Sequence, residues 1–191
     1  TDLAIFSGKN IKHTFVLSLG GNNLTNDIAI GLRAPHTEAE KIKTKYGTCL
    51  SRSIGSDETI EVPGMGGRNP RKLSRQILGE ILEPRMEEIF TLIKREIYRA
   101  GMENLITSGV VLTGGSSLLG GSVEVAESIF NLPTRLGKPQ GITGLVDVVN
   151  NPMYATAVGL VLYGARTVPE KKFRIRDNNI FGNGAEDGGY N

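Results

Sequence analysis

The chain is poor in several residue types, and each shortage narrows its chemistry. It has one cysteine, Cys49, so no internal disulfide can form. Its two histidines, His13 and His36, cannot build a zinc site without carboxylates. Both features fit a reducing, cytoplasmic setting. Tryptophan is absent and aromatics make up 6% of the residues, which gives little support to a carbohydrate- or base-stacking surface. No apolar run approaches the roughly 20 residues that a membrane span needs. No signal-peptide pattern is present, and the chain opens on Thr1-Asp2 directly before an apolar strand, which suggests a piece of something longer. No Walker A pattern occurs, which argues against a P-loop NTPase. Charge of one sign is also lacking: 22 basic residues face 20 acidic ones, a net of +2, with no mark of a dedicated nucleic-acid binder.

What is present is an ordinary globular balance of 39% hydrophobic and 22% charged residues over 191 positions. Glycine is the exception. The chain has 25, about 13% against an average usage of roughly 7%. No collagen period is present, so these glycines serve turns, close backbone approaches or phosphate loops.

Leu3–Phe6 and Ile11–Leu19, joined by Ser7-Gly8-Lys9-Asn10, predict a β-hairpin. Asn23 to Asp27 supplies helix N-cap candidates after the break at Gly20-Gly21-Asn22, and Leu24, Ile28 and Leu32 predict a short helix to about Arg33. Thr37–Tyr46 predicts a second helix, with Thr37 and Glu40 in capping-box spacing and Gly47 at its end. Short strands and glycine turns, including Glu58–Val62 and Gly64–Gly67, lead to a helical pattern over Pro70–Ala100, which Pro84 kinks or splits and Gly101 ends. Gly109–Thr113 reads as a strand in a sheet covered on both faces. Helices over Ser122–Phe130 and Pro152–Tyr163 follow, with a short strand at Pro133–Leu136 between them. The expected organisation is an α/β unit, residues 1–34 and 102–166, interrupted by a small α+β insert, residues 35–101, with a largely disordered polar tail at 167–191.

The strongest chemical signal is Val110–Gly121, where a strand ends in Gly114-Gly115 and a helix begins soon after. Such glycines let a ligand lie on bare backbone, and a helix N-terminus favours anionic groups; they can equally serve only to turn a tight corner. In the insert, Arg85, Glu88, Leu92, Arg95 and Arg99 fall on one side of the long helix, opposite Met86, Ile89, Phe90, Ile93 and Ile97. That side is either an ordinary charged face or a seat for a short peptide with acidic and apolar anchors. His13 and His36 read as structural and exposed, and Cys49 as inert. Lys171–Arg176 is basic with two apolar positions, a hint of a membrane-surface segment too short to bind stably alone.

Four stretches carry a resemblance: Thr1–Phe6, Leu19–Ala29, Val110–Gly115 and Pro152–Leu160. In that order they resemble the second phosphate motif, the segment after it, the adenosine motif and the second connecting helix of the actin/Hsp70/sugar-kinase superfamily. Asp27–Arg33 and Arg135–Pro139 are similar to the FtsA family within it. The resemblance covers residues 1–166. It implies the second lobe of an actin-like ATPase fold of ribonuclease H-like kind, a mixed sheet with helices, comprising subdomains 2A and 2B. It also implies that Gly114, Gly115 and Ser116 line adenosine, that Glu40 and Lys43 reach ribose or adenine from the insert, and that Asp2 lies near the phosphates or their Mg²⁺. From pattern alone, Glu40 and Lys43 also fit a solvated helix face. Family members imply ATP binding, filament formation and tethering of FtsZ filaments to the cytoplasmic face of the inner membrane, with other division proteins as partners and no nucleic acid. The FtsZ C-terminal tail peptide would sit on the 85–99 face, and the membrane would be reached through a segment absent here. The intact protein would be a weak ATPase. This chain alone is expected to be inactive, with no stably bound cofactor. A sugar or metabolite kinase lobe, or another actin-like assembly ATPase, is the alternative.

Overall fold

Glycine and asparagine at the first turn decide how the chain begins. Gly8 takes φ +61°, a left-handed value that lets Ser7 and Asn10 close a hairpin. In the computed structural model, which describes residues 1–64, 69–144 and 146–167, strand β1 (Asp2–Ser7) pairs antiparallel with β2 (Asn10–Val16). The expected second strand stops three residues early, because the chain folds back onto its own start. The Leu17 N–H donates to the Thr1 carbonyl at 2.8 Å, and the Thr1 hydroxyl donates to the Leu19 carbonyl at 2.6 Å.

Helix α1 (Gly21–Gly31) starts before the expected caps. Asn23 caps it from inside: its side-chain oxygen accepts the Gly20 N–H at 3.0 Å. Helix α2 (His36–Tyr46) follows Pro35, and no side chain caps it. The expected capping box of Thr37 and Glu40 is absent, since Glu40 bonds to Thr25 and Lys43 instead. Gly47 ends α2 as expected, at an ordinary φ of −63°. Space decides that choice, because a Cβ there would lie 2.3 Å from the Lys43 carbonyl oxygen.

The helix expected from Pro70 begins only at Gln76. Arg71–Ser74 is a strand, β4, paired antiparallel with β3 (Thr59–Val62). Leu73, which fits the helical stripe by spacing, stands instead across from the buried Ile60. Pairing with β3 outweighs the helical spacing of Leu73 and Ile77. Helix α3 (Gln76–Arg99) is continuous through Pro84. A mid-helix proline costs about 3 kcal/mol. Pro84 is exposed, and the cost is offset by the buried stripe of Leu78, Leu82, Met86, Ile89, Phe90, Ile93 and Ile97. These residues join Leu24, Ile28, Ile42, Val125 and Phe130 in one cluster, with the Phe90 and Phe130 rings 5.8 Å apart. Cys49 is buried in the same cluster, and its thiol is pushed up to about 12 by burial and by the nearby charges of Glu83 and Glu124.

Strand β5 (Val110–Leu112) pairs parallel with β6 (Thr134–Leu136), and α4 (Ser122–Phe130) crosses between them. Val111 is 50% exposed, so β5 is not covered on both faces as its apolar run suggests. Among the described residues the strands form three pairs, β1–β2, β3–β4 and β5–β6. A short α5 (Val146–Val149) precedes a 3₁₀ turn at Pro152–Tyr154 and α6 (Ala155–Thr167). The last helix therefore starts three residues later than expected and takes in Thr167, the first residue assigned to the tail. Residues 168–191, including the basic run Lys171–Arg176, and part of the Gly64–Gly67 loop lie outside the described residues.

Candidate functional site

Where β5 ends, Gly114 turns with φ +89°, a conformation that L side chains rarely adopt. Its N–H donates to the Pro152 carbonyl at 3.0 Å, which anchors the corner to the 3₁₀ turn that precedes α6. Gly115 then opens a 3₁₀ turn, Gly115–Leu118, which sequence reasoning passed over. A Cβ on either glycine would meet nothing within 4 Å, so both present bare backbone to open space.

That backbone borders two cavities. One, of about 340 Å³, is lined by Asp2, Gly20, Gly21, Thr113, Gly115 and Ser116 among others. The second, of about 400 Å³, lies between Gly115-Ser116 and the α2 residues Glu40, Lys43 and Gly47, with Met153 at its side. Gly115 and Ser116 belong to both. The structure thus brings Asp2, Glu40, Lys43, Gly114, Gly115 and Ser116 to two adjoining cavities. The first also contains the N-terminus of α1, whose free N–H groups and dipole favour an anion. Among the described residues no group of three His, Cys, Asp or Glu could hold a metal, and Asp2 is the one carboxylate among the residues that line the first cavity.

The polar groups of the second cavity are interlocked. The buried Lys43 ammonium donates to the Gly21 carbonyl at 3.0 Å and to the Thr25 hydroxyl at 2.7 Å, and pairs with Glu40 at 2.7 Å. Thr25, fully buried on α1, also bonds to the Glu40 carboxylate. Burial pushes the Glu40 carboxyl up, but the Lys43 ammonium and the Thr25 hydroxyl outweigh it and hold the group below the usual carboxylate range. Glu40 remains 45% exposed and is the charged group of this set that solvent reaches. Sequence reasoning missed Thr25 as a site residue. Its position among N-cap candidates concealed it, and only the α1–α2 packing reveals it.

The 85–99 face of α3 is partly engaged. Arg85 forms two bonds to Asp27 of α1, at 2.6 and 3.1 Å, and also pairs with Glu88. Arg99 grips Glu96 at 2.7 and 3.0 Å, and the Glu96 carboxylate accepts a hydrogen bond from His13 Nε2 at 3.0 Å. The Arg99 guanidinium holds Glu96 below the usual carboxylate range, with His13 adding to the effect and desolvation opposing it. His13 is therefore structural, as expected, and His36 is exposed. Leu92 is half-buried, and Arg95 is exposed with no salt bridge among the described residues.

Solved structures share this fold. MreB5 of Spiroplasma citri bound to ADP matches with a TM-score of 0.65 over 86% of this chain and 50% of that one, at 18% identity. The ethanolamine utilization protein EutJ of Carboxydothermus hydrogenoformans matches with a TM-score of 0.56 over 85% of this chain and 44% of that one, at 21% identity. The fold is actin-like. The family profile described as "Cell division protein FtsA" matches residues 1–159. FtsA of Pseudomonas aeruginosa is 52% identical over 164 residues, and FtsA of Escherichia coli K12 is 41% identical over 170. The chain belongs to the FtsA family of cell division proteins. It is matched over 86% and 85% of its own length, which corresponds to 39% and 40% of these relatives. Among the described residues no helix is long and apolar enough to cross a membrane.

Proposed function

We propose that the chain supplies the nucleoside-facing half of an ATP site in an FtsA-type actin, as subdomains 2A (1–34 and 102–166) and 2B (35–101). The observation that carries this reading is the pair of adjoining cavities that share the bare Gly115 backbone and Ser116, between the α1 N-terminus and Glu40. Adenosine would lie on Gly114, Gly115 and Ser116. The ionised Glu40 carboxylate would accept hydrogen bonds from ribose hydroxyls, and the phosphates with Mg²⁺ would extend toward Asp2 and the first turn of α1. When bound, ATP supplies the phosphoryl group; the chain's own residues bind and orient it. Titration of the chain with ATP, followed by NMR, tests this. Shifts of the Gly115 and Ser116 amides are expected at millimolar ligand; shifts confined to surface lysines would overturn the reading.

The same proposal gives the family's division role to the longer protein: filament formation and the tethering of FtsZ filaments at the cytoplasmic membrane. The α3 face would receive the FtsZ C-terminal peptide, with Leu92 and Arg95 as its free anchors and Arg85, Glu88 and Arg99 in ion pairs around them. A fluorescent FtsZ-tail peptide is expected to bind the chain, and Arg95→Glu to weaken it about tenfold, the effect of one charge-assisted contact. Unchanged affinity would remove this face from the proposal.

A further inference from the structure

The apolar side chains that line the second cavity are Leu118, Leu119 and Met153. Met153 is the chemically soft member of this set, and its backbone is pinned in place. Asn151 Oδ1 accepts the Met153 N–H at 3.0 Å. The adjoining Pro152 carbonyl accepts from the Gly114 N–H at 3.0 Å and from the Thr113 hydroxyl at 3.3 Å. The 3₁₀ turn that carries the thioether is thus tied to the same glycine turn that gives the cavity its bare backbone. Solvent reaches this methionine: Met153 is 53% exposed, whereas Met86 is buried in the core and Met102 is half-buried against it. Met65 lies outside the described residues. An oxidant must reach the sulfur to react, and the product is a polar side chain where an apolar one stood.

We propose that Met153 is a redox modification site: peroxide oxidises its thioether to the sulfoxide, and the oxidised side chain weakens nucleoside binding in the second cavity until it is reduced again. The effect on binding rests on the nucleotide reading above. In the reaction the Met153 sulfur attacks one peroxide oxygen. The O–O bond breaks, an S–O bond forms, and the other oxygen leaves as water after taking up the proton. The sulfur is oxidised and the peroxide is reduced. A thioether makes a favourable contact with an aromatic ring. The sulfoxide oxygen is a strong acceptor, and it would lose its hydration against the face of the base. Reduction of the sulfoxide by a methionine sulfoxide reductase restores the thioether, so the change is reversible.

The test treats the 191-residue chain with hydrogen peroxide, as wild type, Met153→Leu and Met102→Leu. Peptide mapping by mass spectrometry follows each methionine, and adenosine binding is read at the Gly115 and Ser116 amides by NMR. Met153 is expected to oxidise faster than Met102 and Met86, and saturating adenosine to slow Met153 severalfold while leaving Met102 unchanged. Adenosine affinity of the oxidised wild type should fall about fivefold, the loss of one sulfur–aromatic contact, and return after treatment with a methionine sulfoxide reductase. Each variant is compared with itself before peroxide: Met102→Leu should lose affinity as wild type does, and Met153→Leu should lose none. Met153 oxidising no faster than Met102 overturns the proposal. So does an affinity that holds after mapping shows Met153 fully oxidised, or an equal loss in Met153→Leu, which would place the effect at another residue. If the untreated chain binds no adenosine, the nucleotide reading fails and the effect on binding falls with it, whereas the order of oxidation is still read from the mapping alone.

Discussion

Helices α3 and α6 are both rich in apolar residues, yet they end in opposite situations. Helix α3 places its apolar residues on one stripe, buries nine positions, Glu96 among them, and sends most of its charges to the other side. Helix α6 is apolar around much of its circumference and buries none; Leu160, Val161 and Tyr163 are each more than 60% exposed. An amphipathic stripe fixes which side meets the core, so α3 is satisfied by α1, α4 and β3–β4. A helix apolar on several sides needs neighbours on several sides, and among the described residues α6 has little beyond the turn that precedes it. One helix is a structural axis, and the other lies exposed along its length.

The largest expected effect would come from the axis. Leu82→Ala empties a fully buried position and should cost about 2–5 kcal/mol in urea unfolding. A loss under about 1 kcal/mol would break the contrast. Next is Gly79→Ala, also in α3. Its Cβ would meet the Ser51 Cα at 2.8 Å. Overpacking of about 1–3 kcal/mol then opposes a helix-propensity gain of about 1 kcal/mol, so a net loss smaller than that of Leu82→Ala is expected. Acid sharpens the contrast further. The Glu96 carboxyl is lowered by Arg99, so its contribution is present above the unfolded carboxylate value of about 4.3 and is lost as pH falls through the lower folded value. Acid unfolding curves should show wild type losing more stability than Glu96→Gln below that range, while α6, which carries no acidic residue, adds nothing. The smallest effect is Leu160→Ala on α6, expected within about 0.5 kcal/mol of wild type because the side chain is already in water.

The same contrast explains what the sequence reveals. The α3 stripe, α4, β6 and the first hairpin were readable because each rests on local pattern and turn chemistry. Strand β4 was not, since Leu73 keeps helical spacing with Ile77 and only pairing with Ile60 assigns it. At the candidate site Gly114 and Gly115 stood out by composition. Glu40 and Lys43 sit on a helix whose charges look solvated, and the family resemblance, not the pattern, singled them out. That Lys43 is buried and spent on Gly21 and Thr25 depends on how α1 packs on α2, which no spacing within either helix encodes.

Cys49 gives this packing a practical use. Its backbone N–H bonds to the Gly120 carbonyl at 2.6 Å, beside the Thr48–Gly120 bridge that joins the end of α2 to the loop before α4. The thiol is buried and almost wholly protonated near neutral pH, so it should resist alkylation while the seam is closed. The chain therefore carries its own clock: with one cysteine, the rate of thiol labelling counts openings of that seam, and a ligand that holds α2 against the glycine turn would slow the count.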